Sequence, residues 1–344
     1  MAKKEEKKID LEEVMVSGQS IIDNPRPIVP VSPNLDIILG GGIPSGSFVI
    51  LTGKAKSGKT LLALSIAANC QKPEYGGKFC PEGRDVYYYN IEGRIKDRDL
   101  VGIHNLNIKK LHVIESKPGN ILSAEKFLRY AIHIINDKPG AVHILDSFSA
   151  MAPEKEINED ISKDIMCIRA KLEAKFCRKT AGVIPINDSI VIGITHLMAN
   201  PSPWGGTTQE KTGTSIVYQT DVKLHARSVK PIKVGEKQIG QETIWECVVS
   251  ATNEPPGGKA ANYLRYGYGV DYQQEVLQLA VDTGIIKKDG AWYGYKTKPQ
   301  DQWKDQKKKE YEYRWQGVEN MRNAVVGQTE LLEEIHKQVK KMLE

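Results

Sequence analysis

The apolar positions of this chain follow two alternating rhythms. Short, nearly continuous runs at Ser47–Leu51, Asp85–Ile91, Leu111–Ile114, Ala141–Leu145 and Ser189–Thr195 are rich in Val, Ile, Leu and Tyr. Such runs suit strands buried on both faces of a mainly parallel sheet. Between them, Thr60–Cys70, Ser123–Asn136 and Ile161–Lys179 carry apolar residues at helical spacing, as with Ile161, Ile165, Ile168 and Leu172. Strand and helix in alternation predict a doubly wound α/β domain. Ahead of it, residues 1–25 are charged up to the apolar pair Ile21-Ile22, and the Pro-rich stretch Asn24–Pro33 predicts an extended connector, because each Pro biases the residue before it away from helix.

After Asp221 the rhythm changes. Val222–His225 and Thr243–Val249 predict two further strands separated by a Lys-rich, Gly-containing turn region. From Gly267 a second compact unit is expected: a helix over Tyr272–Thr283, then a hairpin of Ile285-Ile286 and Ala291–Tyr295 around Lys288-Asp289-Gly290. A linker, Lys296–Arg314, leads toward a final amphipathic helix, Thr329–Leu343, with Leu331, Ile335, Val339 and Met342 on one face. The expected division is an arm over residues 1–30, a core over 31–268 and a small α+β domain over 269–344.

Composition narrows this little. The apolar share of 40% over 344 residues is ordinary for a globular protein, and no run approaches the roughly 18–20 apolar residues of a membrane span. The opening MAKKEEKKIDLEEV has charge but no apolar stretch, so no secretory signal is expected and an intracellular location is. A net charge of +5 permits a polyanionic partner without demanding one. The five cysteines, Cys70, Cys80, Cys167, Cys177 and Cys247, form no C-x-x-C pair, which points to reduced thiols rather than zinc or a disulfide framework.

The chemistry enters at Gly53-Lys54-Ala55-Lys56-Ser57-Gly58-Lys59-Thr60, a complete G-x-x-x-x-G-K-[ST] motif between a predicted strand and a predicted helix. Its glycines let backbone N–H groups converge on phosphates, and the helix N-terminus adds its positive end. Lys59 is expected to neutralise β- and γ-phosphate charge, and the Thr60 hydroxyl to coordinate Mg²⁺. Asp146, ending the apolar strand Ala141–Leu145, is the expected second Mg²⁺ group, with Ser147 hydrogen-bonding beside it. Hydrolysis needs a group that polarises water. Glu92, at the end of a strand expected beside the P-loop strand, is placed to accept that proton.

These features together resemble the RecA family. The likeness extends upstream to Ser32-Pro33-Asn34-Leu35-Asp36 and Gly40-Gly41-Gly42-Ile43-Pro44-Ser45-Gly46, and downstream to Tyr266-Gly267-Tyr268-Gly269-Val270-Asp271 and Lys288-Asp289-Gly290-Ala291-Trp292-Tyr293. It covers roughly residues 30–343 and implies a RecA-type P-loop ATPase core with a mainly parallel sheet plus a small α+β C-terminal domain. It implies ATP and Mg²⁺ as cofactors, Glu92 as catalytic base, and His196 as a sensor of the γ-phosphate. A His there is similar to the T4-type phage recombinases, which points to a phage-encoded protein acting in the bacterial host cytoplasm. It further implies a helical homo-oligomeric filament on single-stranded DNA that pairs it with homologous duplex, helped by loading mediators and single-strand-binding proteins, with no membrane partner.

In such a protein two loops face DNA. The first, about 154–164, runs into Met166, expected against a base step, and Arg169, Lys171 and Arg178, expected at phosphates. The second runs from Met198 to about Ser215, where Pro, Gly and Thr preclude regular structure. Pro201, Trp204, Gly205, Gly206, Lys211 and Gly213 are its expected DNA contacts. Trp204 is suited to stacking on unpaired bases, worth about 1–3 kcal/mol per base, or alternatively to packing on a neighbouring subunit. Two departures from the family stand out. Val248-Val249-Ser250-Ala251-Thr252-Asn253 contains no lysine where bacterial RecA carries a pair that acts across the subunit interface, and Arg94–Asp99 departs from the family's adenine pocket. A hexameric DNA helicase or translocase, and a non-hydrolysing recombination mediator, are the alternative readings.

Overall fold

The computed structural model describes residues 15–158, 165–199, 208–210, 213–252, 254–296 and 312–343. Two short strands, β1 (Ile28–Val29) and β2 (Ile43–Pro44), pair as an antiparallel ribbon at the entrance to the core. The helix Pro33–Ile38 lies between them, capped by Ser32 and with Pro33 in its first turn, a position where the missing N–H costs nothing.

The central sheet comprises β3 (Phe48–Gly53), β4 (Val86–Asn90), β5 (Leu111–Glu115), β6 (Val142–Asp146), β7 (Ile190–Ala199), β8 (Thr208–Glu210), β9 (Val222–Val234), β10 (Lys237–Ser250), β11 (Lys259–Arg265) and β12 (Gly269–Val270). Among the described residues its order is β12-β11-β10-β9-β3-β7-β6-β4-β5, with β8 paired to β7. From β9 to β5 the pairing is parallel, and from β9 to β12 it is antiparallel. Every residue of β3 and of β6 is buried, the pattern of strands covered on both faces. One cover includes Leu62, Leu64 and Ile66 of the helix Lys59–Cys70. The other includes Phe127, Leu128 and Ala131 of the helix Ala124–Asp137, and Phe176 of the helix Ile165–Thr180. Full burial of each such large side chain is worth about 1.5–3 kcal/mol.

One cation sits wholly inside. Arg84, with no exposed surface, donates to the carbonyls of Tyr75 (2.8 Å), Gly140 (2.8 Å) and Asp188 (2.6 Å) and to the Ser45 hydroxyl. Its desolvation is met by a nearly complete set of acceptors.

The C-terminal unit has its own apolar cluster, with Val276, Leu277, Ile286, Tyr295, Val325 and Ile335 at its centre. Its sheet joins β13 (Ile286–Asp289), β14 (Trp292–Tyr295) and β15 (Tyr313–Gln316). Glu275, fully buried on the helix Tyr272–Asp282, fastens this unit to the core. Its carboxylate accepts from the Asn34 N–H (3.0 Å), the Asn262 side-chain amide (2.7 Å) and the Tyr263 N–H (3.0 Å).

The structure departs from the sequence reading at several points. The strand that ends before Glu92 is not beside the P-loop strand: β4 pairs with β5 and β6, while β3 lies between β7 and β9. The region read as a Lys-rich turn is almost all strand, because β9 and β10 form a long hairpin that turns only at Gly235 and Glu236. Residues Glu154–Asn158, read as loop, are helical. Met198 and Ala199 remain in β7, paired with β8, although the Gly- and Pro-rich composition argued for irregular structure there. The C-terminal hairpin gains a third strand, β15, which begins inside the expected linker, and a helix, Val318–Val326, follows it.

Candidate functional site

The parallel strands end on one side of the sheet, and their ends build the site. β3 delivers Gly53, and the loop to Gly58 leads into the helix Lys59–Cys70, whose N-terminus no side chain caps. Gly58 has φ +87°, a conformation that favours glycine, and a Cβ there would press on Leu264 Cδ1 at 2.1 Å. Lys56 shares the left-handed region at φ 61°. Left-handed turns that lead into an uncapped helix N-terminus are the backbone pattern suited to cradling an anion. Lys59 is almost fully buried, and its ammonium donates to the carbonyls of Gly53 (3.1 Å) and Lys54 (2.7 Å). Burial draws its pKa down to about 8, against the opposing pull of Asp146 and Glu92.

Asp146 ends β6, two strands from β3 across β7. Its Oδ2 accepts from Thr60 Oγ1 (2.7 Å) and from the Tyr88 hydroxyl (2.7 Å). Burial pushes the Asp146 carboxyl upward while those two donors draw it back. Oxygen donors this close and of this chemistry fit a hard divalent cation such as Mg²⁺.

Glu92 reaches the cleft from the turn after β4, where the N–H groups of Ile91 (3.0 Å) and Glu92 (3.2 Å) both donate to the Asp146 carbonyl. Its Oε1 accepts from Ser147 Oγ (2.6 Å) and meets His196 Nε2 at 2.9 Å, and its Oε2 pairs with Arg94 at 3.2 Å. The His196 hydrogen bond, then Ser147 and Arg94, hold Glu92 at a pKa of about 2 in spite of its burial. His196 stands on β7 in register with Gly53 on β3, and its backbone N–H donates to Ser149 Oγ at 2.8 Å. Lys56, Lys59, Thr60, Glu92, Asp146 and His196 thus line one cleft of about 320 Å³. At its far wall Asn90 Oδ1 accepts the N–H groups of Arg94 and Ile95.

The residues expected at DNA are dispersed differently. Met166 falls in the helix Ile165–Thr180, and Lys171 and Arg178 are exposed on that helix. Arg169 is turned inward, 3.5 Å from Glu173 and 3.4 Å from the Ser149 carbonyl. Gly213 begins the helix Thr214–Gln219, and its N–H donates to Glu173. Pro201, Trp204, Gly205, Gly206 and Lys211 lie outside the described residues.

Sequence reasoning missed Tyr88, Ser149 and Glu173. Tyr88 resembles any other β-former in a Tyr-Tyr-Tyr run. Glu173 did leave a signal: it shares a helix face with Phe176, Cys177 and Thr180, all buried, and follows Arg169 by four residues.

Residues 1–271 match the model of the RecA N-terminal domain, and residues 274–311 that of the RecA C-terminal domain. Among curated relatives, a protein named RecA from Marinobacter nauticus is 28% identical over 279 residues, covering 79% of this chain and 76% of its own. RecA from Geobacter sulfurreducens is 29% identical over 266 residues, covering 77% and 74%. RecA from Bifidobacterium longum is 28% identical over 330 residues, covering 94% and 76%.

Proposed function

The chain belongs to the RecA family, and from that premise we infer that it is an ATP-dependent DNA strand-exchange recombinase, a DNA-dependent ATPase using Mg²⁺. It binds DNA as a filament. The observation that carries this reading is the convergence of Lys59, Thr60, Asp146, Glu92 and His196 on one cleft from β3, β4, β6 and β7 and the segments that follow them. The match of residues 274–311 to the RecA C-terminal domain favours it over a ring-shaped helicase built on the same core.

In this mechanism the 53–60 loop and Lys59 hold the β- and γ-phosphates. Thr60 and Asp146 would hold Mg²⁺, which supplies charge compensation to the phosphates. Glu92 accepts a proton from the attacking water. The His196 contact lowers the basicity of Glu92, so exchange of Glu92 for a γ-phosphate oxygen by His196 favours catalysis. That exchange makes His196 the nucleotide sensor and frees Glu92 for catalysis. Exposed Lys171 and Arg178 meet DNA phosphates, Met166 presses on a base step, and Trp204 stacks on bases. Sequence is read by base pairing rather than by side chains.

The division into an arm (1–30), an ATPase core (31–268) and a C-terminal domain (269–344) is part of the same reading. Met15, Val16, Ile21 and Ile22 are between 66% and 71% exposed. Four exposed apolar side chains on one short segment support docking of the arm on a neighbouring subunit. His196 supports a T4-type, phage-borne protein; action in the host cytoplasm with loading mediators and single-strand-binding proteins belongs to the same reading. No helix among the described residues is long and apolar enough to cross a membrane.

The direct test is joint-molecule formation between single-stranded DNA and homologous duplex with ATP and Mg²⁺. Homology-dependent joints, lost in Lys59→Ala and with heterologous duplex, are expected. DNA-stimulated ATP hydrolysis without joints would overturn the recombinase reading in favour of a translocase.

A further inference from the structure

Glu173 has no exposed surface, yet lies on a helix otherwise facing apolar neighbours and solvent. Its Oε2 accepts the Gly213 N–H at 2.6 Å, and its Oε1 faces Arg169 Nε at 3.5 Å. Arg169 Nη1 donates to the Ser149 carbonyl at 3.4 Å, and Ser149 Oγ accepts the His196 N–H at 2.8 Å. The His196 ring touches Glu92 at 2.9 Å. A continuous series of polar contacts therefore runs from the ATP cleft to Gly213, which lies within the second expected DNA loop and caps the helix Thr214–Gln219. Glu173 and Arg169 themselves lie on the helix that follows the first segment. The two groups are in close contact: a Cβ on Gly213 would stand 2.9 Å from Glu173 Oε2.

Stability alone does not account for this arrangement. A buried ion pair seldom exceeds the stability of well-packed apolar residues of the same volume, and its best-attested use is to fix one of two arrangements. Burial raises the Glu173 carboxyl, and the Gly213 N–H and Arg169 draw it back. The two contacts that oppose this rise are the same two that tie Glu173 to Gly213 and to Arg169. Resting on the recombinase reading, we propose that Glu173, with Arg169, is the positioning residue that transmits nucleotide state from His196 to the DNA-binding face.

The experiment measures coupling rather than affinity. For the full chain, the Kd for oligo(dT) is determined with a non-hydrolysable ATP analogue and with ADP, and their ratio is the coupling factor. Allosteric factors of this kind are about 5–150-fold. In Glu173→Ala the factor is expected to fall to within about twofold of unity. In Arg169→Ala it falls similarly, and in the double variant it falls no further, because both substitutions cut one series of contacts. A direct phosphate contact by Arg169 would weaken DNA binding in both nucleotide states alike and leave the ratio intact. Glu173→Gln keeps the volume and an acceptor for Gly213 but not the charge that holds Arg169. It is expected to behave as Arg169→Ala does, and it carries the test if Glu173→Ala does not fold. Nucleotide affinity without DNA should stay within about twofold of wild type in the Glu173 variants. An unchanged ratio in the folded variants, or losses that multiply in the double variant, would overturn the proposal. Failure of the wild-type chain to bind oligo(dT) at all would instead sink the recombinase reading beneath it.

Discussion

Glu92→Gln separates a catalytic base from a structural anchor more sharply than any other substitution in the cleft. The side chain has two potential roles. As an anchor it holds Ser147, His196 and Arg94, and as a base it takes a proton from water. Glutamine is nearly isosteric and keeps an acceptor oxygen for the Ser147 and His196 contacts, but it cannot accept a proton at neutral pH. A positioned base contributes about 10²–10⁴-fold to rate, which is about 2.7–5.4 kcal/mol of barrier at about 1.36 kcal/mol per factor of ten. Lys59 and Thr60 make no hydrogen bond to Glu92, and a weakened Glu92–His196 contact competes less with the γ-phosphate, so ATP affinity should hold or rise. The assay is steady-state ADP release at saturating ATP and oligo(dT), with binding of a fluorescent ATP analogue measured beside it. Glu92→Gln and Glu92→Ala should both lose at least about a hundredfold in kcat with binding preserved. If Glu92→Gln retained more than about a third of the wild-type rate while Glu92→Ala was dead, Glu92 would be an anchor and the base would lie elsewhere.

Three further outcomes follow from the geometry. Tyr88→Phe removes a donor to the buried Asp146 carboxylate, and should cost about 1.5–3 kcal/mol in urea unfolding, the range for a hydrogen bond to a charged group. Glu92 falls from its ordinary 4.5 to about 2 in the fold, so its contribution to stability is fully present above pH 4.5 and is lost as pH falls through about 2. At about 1.36 kcal/mol per unit, that contribution is roughly 3 kcal/mol, reduced toward about 2 by the water that reaches the cleft. The difference in unfolding free energy between wild type and Glu92→Gln should therefore shrink steadily between those pH values, and a constant difference would refute the assignment. Glu275→Ala leaves Asn34, Asn262 and Tyr263 without their acceptor. It should cost about 3 kcal/mol or more, read as an earlier unfolding step for the C-terminal unit in denaturant.

The sequence made the phosphate loop plain because its chemistry resides in the backbone, and only a few residue types permit that backbone. The buried parallel strands were equally plain, since β3 and β6 are covered on both faces and read as unbroken apolar runs. Their lateral order was not legible: nothing local in Val86–Asn90 tells that it pairs with Val142–Asp146 rather than with Phe48–Gly53. The β9–β10 hairpin was shortened in the reading because its outer half, including Lys230, Lys233 and Lys237, is solvent-exposed and polar. Backbone pairing, rather than burial, maintains the strand there. Within the site, Lys59, Thr60 and Asp146 were visible as motif residues. Tyr88 and Glu173 were hidden because each acts through a partner more than 35 residues away.

Arg84 sets a condition on how the chain is made. Its acceptors come from Ser45, Tyr75, Gly140 and Asp188, the last of them 104 residues downstream. Until Asp188 has left the ribosome, the guanidinium has no complete set of partners, and closing the core around it would strand a charge in an apolar medium. The N-terminal half therefore has reason to stay open during synthesis, which proceeds at about 5–20 residues per second. An interior guanidinium whose partners are spread so far along the chain thus favours closing the core around it late and cooperatively rather than in independent steps.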